Sequence, residues 1–166
     1  MRALNTYTFR RMSEADLPLL AQWLALPDWR RWWGEPEAEL VNLAADLHEP
    51  AMRLWIVALG NTDFAFLQDY DIDALPDHPY RGMPKGSKGL DQSIGLAEMI
   101  GRGHGSAFIR AHADALLADG TPCVVTDPHP QNTRAIRAYE KAGFARLHEL
   151  ETAGDWGPVL LMVKRG

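Results

Sequence analysis

A single cysteine, Cys123, in 166 residues leaves no disulfide framework, and no Cys/His spacing suggests a zinc or other metal site. The first thirty residues hold no apolar run long enough for a signal peptide or a membrane span, so a cytoplasmic protein that does not enter a membrane is expected. Nor is there a basic block. With 17 basic against 22 acidic side chains and a net charge of −5, general affinity for nucleic acid is excluded and a cationic partner fits better. Low-complexity segments, internal repeats and linker-like stretches are also missing. What remains, 46% hydrophobic, is enough for one globular domain over residues 1–166 with a single core.

Strand-like and helix-like windows alternate along the chain. Tyr7 to Met12 reads as a strand, and Ser13 caps a helix carrying Leu17, Leu20 and Leu24, which Pro27 is expected to stop. A tryptophan-rich link, Trp29 to Gly34, leads to a helix from about Pro36 to His48. Two strands follow, Met52 to Leu59 and Thr62 to Tyr70, joined at Gly60-Asn61, a pair suited to positive φ in a hairpin. The segment from Asp71 to Lys88 is too long for a passive connection and carries clustered acids, Asp69, Asp71, Asp73 and Asp77. A fourth strand is expected from about Gly89 to Gly95 and a helix from about Gly105 to Ala118, burying Phe108, Ile109, Ala115 and Leu116. Cys123 to Thr126 reads as a fully buried strand reached by a right-handed crossover. A helix from Asn132 to Ala142, capped by Asn132 and ended by Gly143, precedes two antiparallel strands, Phe144 to Thr152 and Val159 to Lys164.

The chemistry starts at Gly101-Arg102-Gly103-His104-Gly105-Ser106, at a strand-to-helix junction. Alternate glycines let backbone amides converge on an anion, and the helix that follows adds unpaired N–H groups and the positive end of its dipole. A diphosphate is the expected ligand. A P-loop would need Gly-Lys-Ser/Thr, and the lysine is missing. A dinucleotide fingerprint would need a third Gly or Ala, where counting from Gly101 gives Ser106 and counting from Gly103 gives Phe108.

The run does resemble the pyrophosphate loop of the GNAT superfamily of N-acetyltransferases, Gln/Arg-x-x-Gly-x-Gly/Ala before a helix, with Gly103 and Gly105 on its glycines and Ile100 departing at the first position. Asn132-Thr133-Arg134-Ala135-Ile136-Arg137-Ala138-Tyr139 through Gly143-Phe144 resembles a second segment of that family, Asn-x-x-Ala-x-x-x-Tyr-x-x-x-Gly-Phe. The resemblance implies an α/β (α+β) GNAT fold. Such a fold has one mixed, mostly antiparallel twisted sheet flanked by about four helices, with the fourth strand splayed from the fifth. It also implies acetyl-CoA as co-substrate and no metal. By this likeness the coenzyme is held by the backbone at Gln92, Ser93 and Ile94, by residues Gly101 to Ser106, and by Asn132, Ala135 and Tyr139. Tyr139 is the expected general acid for the leaving thiolate, and Asp91 the expected base for the acceptor amine. On its own, Tyr139 reads as a half-buried helix aromatic beside Ile136; the glycine loop beside it turns the reading to the family's role.

Lys88-Gly89-Leu90-Asp91-Gln92, with the two motifs beyond it, looks like the aminoglycoside 6'-N-acetyltransferases over most of residues 60 to 150. That likeness implies acceptor contacts from Asp77, Asp91 and the pair Trp32-Trp33, and transfer to a primary amine of a cationic aminoglycoside, hence antibiotic resistance. Alternatives are a siderophore-type acyltransferase acting on hydroxylysine or hydroxyornithine, a protein or peptide N-acetyltransferase, and a non-catalytic coenzyme A-binding domain. A monomer or a homodimer is equally compatible. His112 is expected to be a hydrogen-bonded structural residue, and Cys123 a small core residue.

Overall fold

Hydrophobic alternation and helical periodicity produce seven strands and five α-helices in a computed structural model that describes residues 6–75, 78, 80, 82–152 and 157–166. The strands are β1 (Tyr7–Arg11), β2 (Met52–Leu59), β3 (Thr62–Asp71), β4 (Lys88–Ile94), β5 (Cys123–Thr126), β6 (Ala145–Glu151) and β7 (Pro158–Arg165). They form one sheet in the order β1-β2-β3-β4-β5-β7-β6. The helices are α1 (Leu17–Leu24), α2 (Pro27–Trp33), α3 (Pro36–Asp46), α4 (His104–Ala118) and α5 (Thr133–Lys141), five where about four were expected. The chain divides into two compact units, Met1–Gln68 with Gln92–Gly101, and Asp69–Asp91 with Arg102–Gly166.

In the first unit, β1 and β2 pair antiparallel from Tyr7↔Leu59 to Arg11↔Trp55. The core gathers Leu20 and Leu24 of α1, Leu43 of α3, Leu54 and Ile56 of β2 and Phe66 of β3 around Trp29. Trp29 is the surprise, because the expected link is the helix α2, and Pro27 begins it rather than ending α1. Proline at the first helical position loses nothing, since its missing N–H would have had no intrahelical partner. The helix then puts Trp29 and Trp33 on one face, where their rings stack at 5.8 Å, and the Trp29 indole N–H donates to the Ile94 carbonyl at 2.9 Å. In the hairpin between β2 and β3 only Gly60 takes a positive φ, at 59°; Asn61 does not.

In the second unit, β5 is buried along its whole length. It pairs parallel with β4 and antiparallel with β7, from Cys123↔Arg165 to Thr126↔Met162. The α4 face that packs inward consists of His104, Phe108, Ile109, His112 and Ala113. Phe108 and Ile109 are buried as expected, but toward the end of the same face Ala115 is exposed and Leu116 only half-buried. His112 has the structural role anticipated for it: its Nε2 lies 2.8 Å from a carboxylate oxygen of fully buried Asp69. At the sheet edge β6 is largely exposed, charged at Arg146, Glu149 and Glu151, and shifted in register between Arg146 and His148. Charges and bulges of this kind discourage an edge strand from pairing with another chain. Among the described residues, no helix is long and apolar enough to cross a membrane.

Candidate active site

The glycine run has the backbone its composition implies. Gly101 sits at φ 76° and Gly103 at φ 84°, the latter as N-cap of the 15-residue helix α4. A side chain at either position would be strained by φ alone. A Cβ at either would meet nothing within 4 Å, so the glycines are not there to relieve packing; they leave open space over the amides that precede and begin the helix. The first-turn N–H groups of α4, at Gly105 and Ser106, have no partner inside the helix, and the Ser106 hydroxyl donates back to the Gly103 carbonyl at 3.2 Å. Arg102 is exposed beside them, and His104 is buried. This donor set suits a diphosphate, the charged part of coenzyme A.

Strand β4 pairs with β5 only through Lys88↔Val124 and Gly89↔Val125, yet runs on to Ile94. Beyond that pairing lie buried Leu90 and then Asp91, Gln92, Ser93 and Ile94, all half-buried. Helix α5 begins as expected: the Asn132 side chain accepts from the Ala135 N–H at 3.3 Å, with Ala135 half-buried behind it. Its end is held by cations, with Lys164 Nζ donating to the Ala142 carbonyl at 2.7 Å and Arg110 donating to that of Lys141. Cationic donors suit the negative end of a helix dipole. Gly143 then turns the chain at φ 102°. Between these anchors Tyr139 is buried, edge-on to Phe144 at 5.4 Å.

Asp91 and Tyr139 belong to the same unit and share a neighbour that sequence reading passed over, Tyr70 at the end of β3. Burial pushes the Tyr70 hydroxyl well above the usual phenol range, and Asp91, Asp127 and Tyr139 act on it electrostatically. Asp127, the residue after β5, is pushed up to about 8, first by burial and then by the Asp91 charge. Tyr80 is raised for the same reasons, burial first and Asp127 second. His78 stacks on Tyr80 at 3.9 Å and lies 5.3 Å from Tyr70; burial pushes its imidazole down to about 4, so it is neutral. The cluster is therefore two carboxylates under neutral aromatic rings. A signal for Asp127 existed, because parallel strands carry their sites at their C-terminal ends and Asp127 is the first residue past that end of β5.

The shift at Asp127 has a stability consequence. Below about pH 4 its carboxyl is protonated both folded and unfolded; as pH rises from there toward about 8 only the folded state keeps the proton, so stability falls across that window. Asp127→Asn, neutral throughout, is expected to remove this fall and to raise Tm at pH 7.5 relative to wild type. A variant Tm at or below wild type at that pH would contradict the assignment.

The other predicted acceptor residues fare differently. Trp33 packs into the first unit's core, edge-on to Phe66 at 5.7 Å. Trp32 is half-buried, with the Arg31 guanidinium 4.5 Å from its ring centre. Asp77 lies outside the described residues. Three further acids of that stretch have internal partners: Asp69 holds His112, Asp71 accepts from Lys88 at 2.8 Å, and Asp73 accepts from the Gly86 N–H at 2.8 Å. Cys123 is a core residue, 3.0 Å from the Ser87 hydroxyl. Among the described residues no group of three or more His, Cys, Asp or Glu side chains is placed to hold a metal ion.

Comparison with known proteins agrees with this geometry. The GNAT acetyltransferase domain model matches residues 12–152. Aminoglycoside N(6')-acetyltransferase type 1 of Klebsiella pneumoniae is 32% identical over 169 residues, covering 96% of this chain and 83% of its own length. A kanamycin resistance protein of Rhizobium radiobacter is 42% identical over 80 residues, covering 48% of this chain and 72% of its own. The crystal structure of the aminoglycoside acetyltransferase AAC(6')-Ib with coenzyme A and kanamycin matches with a TM-score of 0.83 at 31% identity, over 96% of this chain and 95% of that one. The glycine cradle, the end of β4 beyond its pairing with β5 and the capped Tyr139 helix thus belong to a GNAT-family N-acetyltransferase, close in sequence and structure to the aminoglycoside 6'-N-acetyltransferases.

Proposed function

We propose that this enzyme moves the acetyl group of acetyl-CoA to a primary amine of an aminoglycoside, the 6'-amine, and so confers resistance to that antibiotic. The observation that carries the reading is that Asp91 of β4 and Tyr139 of α5 both act electrostatically on the buried Tyr70 hydroxyl. The relatives named above supply the acceptor class. The whole chain acts as one acetyltransferase domain, and its lone buried thiol suits a reducing cytoplasm.

Acetyl-CoA supplies an activated thioester; the chain's residues do the rest. Residues Gly101 to Ser106, with Asn132 and Ala135 at the start of α5, hold the coenzyme. The backbone of Gln92 to Ile94, without β5 partners, receives the acyl arm and offers N–H donors to the carbonyl oxygen as negative charge develops on it. Asp91 takes the proton that the acceptor's ammonium group must lose before its nitrogen can attack, directly or through water. As the carbon–sulfur bond breaks, Tyr139 gives its phenolic proton to the departing thiolate. Asp91 draws the cationic acceptor by charge, with Asp77 and the Trp32 and Trp33 faces as further acceptor contacts.

A thiol-release assay with kanamycin, tobramycin, lysine and hydroxylysine as acceptors tests this reading. Turnover with the two aminoglycosides is expected, and turnover with hydroxylysine or lysine but neither aminoglycoside would overturn it.

A further inference from the structure

Trp29 is tied to the end of β4 by more than packing. Its indole N–H donates at 2.9 Å to the carbonyl of Ile94, the last residue of that strand. The N–H of the same peptide, carried by Gly95, donates to the Phe64 carbonyl of β3 at 2.7 Å. In a strand the carbonyl and N–H of one peptide point to opposite sides. With its N–H turned to β3, this peptide aims its carbonyl to the side on which β4 pairs with β5 earlier along the strand, at Lys88 and Gly89. A side-chain donor from α2 thus takes the place of a strand donor, and the carbonyl is satisfied without one. The peptide is fixed from a third direction as well. A Cβ on Gly95 would come within 2.2 Å of the buried Trp23 ring, so the backbone lies directly on that indole. Trp23 and Trp33 in turn brace Trp29, with ring centres at 5.9 and 5.8 Å. Any large ring would serve the packing; only the indole N–H reaches the carbonyl.

We propose that Trp29 is a positioning residue for acetyl transfer: its indole N–H fixes the end of β4, so that the acyl arm of acetyl-CoA finds the backbone of Gln92 to Ile94 already placed to receive it. The inference rests on the reading above that this backbone receives the arm, and it holds for any acceptor amine. Trp29 acts through the Ile94 peptide and not on a reacting atom. Such placement matters because a shift of about 1 Å in the groups that orient a substrate can cost about a hundredfold in rate.

The test replaces Trp29 alone by β-(3-benzothienyl)alanine, which has sulfur where the indole has N–H, so the ring shape is kept and the donor is lost. In the full-length enzyme, calorimetry is expected to show acetyl-CoA binding weakened about tenfold, the worth of one hydrogen bond. Binding of adenosine 3'-phosphate 5'-diphosphate, which keeps the diphosphate but lacks the pantetheine arm, should be unchanged. With kanamycin as acceptor, kcat should fall about tenfold while the kanamycin KM stays near wild type. Trp29→Phe, which also loses packing, should add a fall in Tm to the same selective loss. A tryptophan with a purely structural role would weaken both ligands or neither. Unchanged acetyl-CoA affinity in the sulfur isostere, or equal weakening of both ligands, overturns the inference. Failure of the functional reading looks different: the wild-type enzyme itself then releases no thiol with kanamycin.

Discussion

Asp91→Asn is expected to lower kcat for acetyl transfer by about a hundredfold or more, with the acetyl-CoA KM and Tm little changed. The amide keeps the shape of the carboxylate but cannot take a proton, so loss confined to kcat points to the base itself. A second effect follows from the like-charge contact with Asp127. Burial is the larger cause of the Asp127 shift and the Asp91 charge the next. In the variant, Asp127 should therefore titrate lower than in wild type but still above the ordinary carboxylate range, measurable by carbon NMR of the labelled carboxyl. An unchanged kcat would remove Asp91 from the mechanism. A kcat loss with no movement of Asp127 would separate the two carboxylates.

Gly89→Ala is expected to be the most disruptive single methyl in the second unit. Its Cβ would stand 2.2 Å from Tyr70 Cε2, 2.3 Å from Cζ and 2.7 Å from the hydroxyl oxygen. The obstacle is a buried ring backed by His78, not the flexible tip of a side chain, so it has nowhere to retreat cheaply. Overpacking of this kind costs about 1–3 kcal/mol, which for a chain of this size lowers Tm by several degrees. Activity should fall more than tenfold even where the variant is folded, because the displaced ring is the one on which Asp91, Asp127 and Tyr139 act electrostatically. Removing the ring as well, in Tyr70→Ala with Gly89→Ala, should cost less stability than the two single changes added together. Strict additivity would show that Gly89 does not seat Tyr70.

Comparing these two residues shows what the sequence made legible. Asp91 is found from local pattern, since it lies in a strand followed by a glycine loop and helix whose spacing is distinctive. The same holds for the Asn132 cap, for Gly143 and for Tyr139, whose positions are set by helix grammar within a dozen residues. Strands β2 and β5 also match their expected bounds, because turn residues and a short buried run delimit them. Gly89 and Tyr70, by contrast, meet only because β3 and β4 are neighbours in the sheet, which no local window contains. Asp127 and Tyr80 owe their properties to desolvation, which packing creates and composition does not encode.

Pro27 was ambiguous for a different reason. Proline suits both the position just past a helix and the first position of one, and the choice here follows from burying Trp29 at 1% exposure, a tertiary gain. At α4 Phe108 and Ile109 are buried as expected, and His112, drawn to a buried carboxylate, continues that face; Ala115 and Leu116, toward the helix end, are not fully covered.

The central claim, acetyl transfer to the 6'-amine of an aminoglycoside, is tested most directly by identifying the product. The purified enzyme would be incubated with acetyl-CoA and kanamycin, and the antibiotic analysed by mass spectrometry and NMR. The account predicts a monoacetylated kanamycin with the new amide at the 6' nitrogen, formed by wild type and lost in Asp91→Asn. Unmodified kanamycin after complete thiol release with another acceptor, or acetylation at a different amine, would contradict it.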